Sequence, residues 1–414
     1  MGSHLLDPKS YDSVKALRFN FLFTFVKPGT RTHGSMSAAP DFAALTARHQ
    51  RLQQYLQADP DNLGLLADAA SAAFDARHLD ECDALIARYA RHAAPTPSLR
   101  NLAGLSAMSA SRFDEAETQF ASLLTEFDDP QLRFNHAYAV AMQARYEQAL
   151  QGLDDAVLEQ VAEAIRLKML CLYHLGRLDD VVELGERYAQ HPQAGEQVRG
   201  LLATALFDAD EFERAQHYAA LAPDSVGGLT VLGLLALHED DTATARQRFA
   251  LALEADPASG RAQLGEGLAC LAEHDFAAAA PRLDRAATLL RSHAGSWLSA
   301  GWAYLMAGQP AQARERFERS LQTDRGFAEA TGALAVVDAF EGHDEQARHR
   351  AEVALRLDPN CLSATYARSL LLARGGREQE GAALYQQMLQ RPLGEDGPSI
   401  AQLIARRASH GARD

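Results

Sequence analysis

No stretch of this 414-residue chain holds the roughly 20 consecutive apolar residues that a membrane-spanning helix needs, so a soluble, cytoplasmic chain without membrane insertion is expected. Cysteine is scarce. Cys82, Cys171, Cys270 and Cys361 stand far apart with no CxxC, which argues against a disulfide framework and a zinc site. Aromatic residues make up only 7% of the chain against 47% apolar, so its core must be built from Ala and Leu rather than large rings. Basic charge is also short. Lys plus Arg number 40 against 55 Asp plus Glu, a net charge of −15, and no nucleic-acid phosphate backbone is expected as main partner.

Lysine is rarest of all, and its distribution is informative. Lys9, Lys15 and Lys27 fall in the first 35 residues, and only Lys168 lies beyond them. That front segment opens Met1-Gly2-Ser3-His4, closes His33-Gly34-Ser35, and contains a single alanine, Ala16. It reads as a vector-derived or fused peptide segment, 1–35, with Met36 as the native first residue. Within it Phe19, Phe21, Phe23 and Phe25 alternate, the pattern of a half-buried strand or of a tail that docks in an apolar groove. The remainder uses Arg almost without Lys and is rich in Ala, a bias typical of GC-rich bacterial genomes.

What the chain has in abundance is self-similarity. Ala245, Ala279, Ala313 and Ala347 are each 34 residues apart, as are Gly233, Gly267 and Gly301 with Ala335 next in step. Phe249, Leu283, Phe317, Ala351 and Tyr385 keep the same interval. Each unit reads as two amphipathic helices joined by a short turn, with a small residue in the first helix where the backbones approach. The turn signature is an aromatic or Leu, two polar residues and a small one, as in Phe113-Asp114-Glu115-Ala116, Tyr146-Glu147-Gln148-Ala149 and Phe212-Glu213-Arg214-Ala215. Pro257 and Pro359 stop second helices because proline cannot continue the hydrogen-bond ladder.

These phases resemble the tetratricopeptide repeat family. The best unit, about 294–327, carries Trp297, Ala300, Gly301, Tyr304, Gly308, Ala313 and Phe317 in the family's spacing. The resemblance implies an all-α fold: a right-handed superhelical α-solenoid of about ten helix-turn-helix repeats with capping helices at both ends. Ten small-residue markers follow: Ala70, Gly104, Ala137, Met169, Ala203, Gly233, Gly267, Gly301, Ala335 and Ser369. The expected organisation is an N-terminal capping helix within 36–60, an irregular array over 61–223, a regular array over 224–393, and a C-terminal capping helix and tail over 394–414. Pro223-Asp224-Ser225-Val226-Gly227-Gly228 reads as a tightened, rigid junction, with a hinge as the alternative.

Chemistry finds little support. His78, His174, His238, His274 and His343 sit near turns, one per repeat, whereas a metal needs three or four ligands at one point. There is no HExxH, no GxSxG, no phosphate loop and no GxGxxG between strand and helix. The four cysteines read as inert core thiols. No catalytic, metal or cofactor residue is assigned, and no enzyme is expected. Surface remains. The resemblance implies that first helices line a concave groove through residues three before, one after and four after each marker, a helical stripe. In this chain the stripe is apolar, and Tyr138, Phe207, Leu234, Leu268, Trp302, Leu305 and Tyr366 are its candidate peptide-binding residues. A carboxylate clamp of Lys, Arg and Asn is disfavoured, because Arg166 is nearly alone there. The expected function is a non-catalytic scaffold or adaptor for an amphipathic or extended protein segment. The alternatives are an accessory or chaperone of a bacterial secretion, pilus or envelope-assembly system, and a component of a transferase or metal-dependent hydrolase.

Overall fold

A computed structural model describes residues 42–191, 195–391, 399 and 401–402. Over these residues the fold is an all-α helical repeat solenoid of 22 helices. The chain divides into two compact units, one ending at Leu175 and the other beginning at Gly176. The first holds α1 (Phe42–Ala58), α2 (Leu63–Asp75), α3 (Leu79–Ala90), α4 (Pro97–Ser109), α5 (Phe113–Leu124), α6 (Pro130–Ala141), α7 (Tyr146–Gln151), α8 (Asp155–Gln160) and α9 (Ala162–His174). The second holds α10 (Leu178–Ala189), α11 (Gly195–Asp208), α12 (Phe212–Ala220), α13 (Val226–His238), α14 (Thr242–Ala255), α15 (Gly260–Ala272) and α16 (Phe276–Leu289). It continues with α17 (Ala294–Met306), α18 (Pro310–Thr323), α19 (Ala328–Glu341), α20 (Asp344–Leu357), α21 (Leu362–Arg374) and α22 (Glu378–Gln390).

The marker series accounts for the packing inside each unit. All ten markers are buried, and a Cβ on Gly301 would lie 2.3 Å from the Phe317 ring, so only hydrogen fits where first and second helix touch. Gly104 stands in the same relation to Phe120, at 2.7 Å. A ring sixteen residues after a glycine thus fills the space the glycine leaves. Eight residues before several markers a polar side chain caps the first helix. Asn62 accepts from the Leu65 N–H at 3.1 Å, Thr96 from Leu99 at 3.3 Å, and Asp129 from Leu132 at 2.9 Å. Cys361 does the same with sulfur, accepting from the Ala364 N–H at 3.4 Å.

Between the helices of a pair the chain turns through a left-handed residue seven after the marker: Arg77, Ser111, Ala144, Asp210, Asp240, His274, Gly308, Gly342 and Gly376 among them. The reason is visible in the hydrogen bonds. The next N–H reaches back five residues to the first helix, as His78 to the Ala73 carbonyl at 2.9 Å and Gln309 to Tyr304 at 2.9 Å, a Schellman closure that requires positive φ. The four-residue signature read as the turn is the first turn of the second helix: α5 begins at Phe113, α7 at Tyr146 and α12 at Phe212. Its acidic residues sit there because a helix N-terminus favours negative charge.

One second helix departs from the two-helix pattern. In the third repeat it breaks at Gly152-Leu153-Asp154 into α7 and α8, with Asp154 accepting from the Val157 N–H at 3.0 Å. The carbonyl of Leu153 lies in that break and accepts from Nζ of Lys168 at 2.9 Å. The first capping helix is present as α1, and the helices of the fourth repeat, α9 and α10, fall on either side of the division. The 223–228 segment lies inside the second unit. Ser225 there is fully buried, donates to the Ala222 carbonyl at 3.1 Å and accepts from the Gly228 N–H at 2.9 Å. A Cβ on Gly227 would stand 2.7 Å from the Gly200 carbonyl oxygen, so the segment is packed backbone against backbone. Of the C-terminal cap, Ser399 and Gln402 exchange two bonds in a capping box, at 2.8 and 3.2 Å. Residues 1–41, including the phenylalanine alternation and Met36, lie outside the described residues, as do Pro398 and 403–414.

Candidate functional site: the first-helix face

In the unit from Gly176 first helices pack beside first helices: α11 on α13, α13 on α15, α17 on α19, and α19 on α21. The apolar stripe therefore does two jobs, and the structure divides its residues between them. Leu234 is buried with Ala236, Ala245 and Phe249, and half-buried Phe207 packs on the same cluster. Leu268 is half-buried against Leu264, Leu283 and Ala300. Trp302 and Leu305 bridge two clusters, one around Phe317 and Leu334, the other around Val336 and Ala364. Tyr366 joins them on the second. Tyr138 lies in the other unit, buried beside the rings of Phe113 and Phe134 at 6.4 and 6.3 Å. Tyr138 and Leu234 are thus core residues, while Phe207, Leu268, Trp302, Leu305 and Tyr366 keep part of their surface.

On the first-helix face the strongest exposure of large apolar residues lies one residue beyond the stripe. Met306 is 57% exposed and Phe340 51%, at the last turns of α17 and α19. Both stand five after a marker, in series with His238 and Ala272, so their register was legible although the stripe stopped one residue short. The Trp302 indole meets Phe317 edge-on at 5.7 Å, and its N–H is buried with no hydrogen-bond partner among the described residues. Buried indole N–H groups ordinarily find a partner, so this one is an energetic weak point.

Two buried ion pairs were not anticipated. Arg261 at the start of α15 holds Asp208 at the end of α11 by two bonds of 2.7 and 2.9 Å, both side chains almost fully buried. The pair spans two repeats, a fork-to-carboxylate geometry that suits a desolvated site. Asp338, fully buried in α19, accepts from Arg314 at 2.7 Å and also from Arg350; Arg314 reaches Glu341 at 2.7 Å as well. Asp338, Glu341 and His343 place ligand atoms within 4.8 Å of one another, the one such trio of His, Cys, Asp and Glu among the described residues. The guanidinium groups of Arg314 and Arg350 already bind its carboxylates, and a cation would have to displace them.

The other histidines near turns are ring-packing residues. His174 stacks on Tyr146 at 4.5 Å, His78 on His49 at 5.0 Å, and His238 lies against Phe212 at 5.3 Å. His274 occupies a left-handed turn position and meets Phe276 edge-on. All four cysteines are free and buried. Burial pushes the thiols of Cys82 and Cys171 up to about 12 and raises those of Cys270 and Cys361, which leaves them as poor nucleophiles. No helix among the described residues is long and apolar enough to cross a membrane.

A match to a known family fits this architecture. The family described as "Tetratricopeptide repeat" matches residues 101–165 and 341–398. No curated protein matches the chain. Among solved structures, MamA is similar at 19% identity with a TM-score of 0.33, over 38% of this chain and 93% of that one. A human IFIT1 dimer with PPP-AAAA is similar at 14% identity and a TM-score of 0.48, over 85% and 95%. The APC/C hetero-tetramer Cut9–Hcn1 is similar at 13% identity and a TM-score of 0.45, over 85% and 87%.

Proposed function

The chain is a tetratricopeptide repeat protein, and from that premise we propose that it is a non-catalytic scaffold whose first-helix face binds an extended or amphipathic protein segment. The observation that supports this reading is the apolar surface that stacking leaves uncovered: Phe207, Leu268, Trp302, Leu305 and Tyr366 half-buried, with Met306 and Phe340 beside them exposed. Scattered apolar residues on a surface are ordinary, but a run of them in register on neighbouring first helices is a ready anchor row for every third or fourth side chain of a bound segment. Each buried anchor contributes about 1.5–3 kcal/mol. Three or four offset the cost of association to leave roughly micromolar binding.

The test uses peptides selected from a random display library against the full chain, then titrated calorimetrically. Met306→Glu with Phe340→Glu alters two exposed side chains and is expected to weaken binding at least about tenfold. Its thermal unfolding should match that of the parent. Equal affinity of parent and variant for every selected peptide would reject this face.

A further inference from the structure

We propose a second binding site, for an oxyanion, in the cleft between α20 and α21, on grounds independent of the apolar face. The argument begins with a position of the repeat. Residues 246, 280, 314 and 348 stand 34 apart in the second helices α14, α16, α18 and α20. Where arginine occupies this position with a charged neighbour, it pairs with acids on the following first helix. Arg246 meets Glu273 at 3.0 Å and Glu266 at 3.4 Å. Arg314 meets Asp338 and Glu341, each at 2.7 Å. Position 280 is alanine, and the matching places on α17, Ala300 and Ala307, carry no charge.

Arg348 breaks the rule. The place held by Glu266 in its pair is taken by Arg368, that of Glu273 by Gly375, and that of Asp338 by Leu372. An arginine therefore faces an arginine where the fold elsewhere builds an ion pair. Arg356, two turns further along α20, adds a third guanidinium, and the three line a cleft of about 390 Å³ with Glu352 and Leu355. None of Arg348, Arg356 and Arg368 makes a hydrogen bond or ion pair among the described residues. Three cations against one carboxylate leave local positive charge in a chain of net charge −15. Guanidinium forks match oxygen pairs on phosphate or carboxylate, and three exposed forks around one open cleft can reach the same anion. The ligand is thus an oxyanion that brings the charge the repeat omits, from a phosphate group or from the carboxylates of an acidic peptide.

The full chain is titrated at constant ionic strength with inorganic phosphate, and separately with a tetraglutamate peptide. Saturable binding of either supports the site and names its source. Arg348→Gln with Arg368→Gln should weaken it about tenfold or more, the loss of two charge-assisted bonds, while Arg291→Gln on the exposed surface leaves it unchanged. Arg368→Glu rebuilds the pairing seen at Glu266. It should raise the melting temperature in the absence of anion and abolish the anion response. No saturation by either probe, the same affinity in the glutamine variant, or an intact response in Arg368→Glu would overturn the proposal.

Discussion

Among the described residues, six other than glycine hold the left-handed conformation at inter-helix turns: Arg77, Ser111, Ala144, Asp210, Asp240 and His274. Asp tolerates it best, because its short polar side chain bonds locally; alanine gains nothing and pays the full steric cost. Ala144→Gly should therefore stabilise the protein by about 1 kcal/mol, read as a rise in melting temperature. Gly308→Ala, at φ 76°, should lower it by a similar amount. His136 offers a second residue-scale test. Burial pushes its imidazole below the ordinary value of 6.5, a nearby Glu117 opposing in part. A depressed histidine pKa means that the unfolded chain binds the proton more readily. Stability should then fall as pH drops from the ordinary value through the folded one, and His136→Gln should flatten that slope in denaturant titrations across the same range.

At the scale of the element, the pairing of helices was legible because one period of 34 residues fixes four things together: the small marker, the ring that fills its space, the cap eight before and the turn seven after. The break between α7 and α8 was not, since a glycine in a second helix does not by itself mark one, Gly185 lying inside α10 and Gly381 inside α22, and its compensation by Lys168 joins residues that no local pattern links. The buried Arg261–Asp208 pair escaped for the same reason. Its partners lie 53 residues apart, beyond one period, and each looks like a solvated charge at a helix end. It predicts a large local effect. Asp208→Ala removes the carboxylate that holds a buried guanidinium by two bonds and should cost about 3–5 kcal/mol, measured by chemical denaturation. Asp338 carried a visible signal, a carboxylate inside the apolar run Leu334-Ala335-Val336-Val337, but not the two arginines that explain it.

For the whole molecule, the sequence placed its candidate residues on the first-helix face and misjudged how much of that face stays open. Positions one and four after a marker turn toward the next first helix, so stacking consumes Leu234 and half of Leu268, Trp302 and Leu305, while Met306 and Phe340, five after theirs, keep their surface. The account of function rests on what is left. The chain contains two tryptophans, and Trp297 is buried whereas Trp302 lies on the candidate face, so Trp297→Phe makes Trp302 the sole reporter. Its emission, followed while a selected peptide is added, tests the central claim most directly. The account predicts a saturable blue shift with a roughly micromolar midpoint, absent when Met306 and Phe340 are replaced by Glu. Binding seen by calorimetry with no change in Trp302 emission would contradict it.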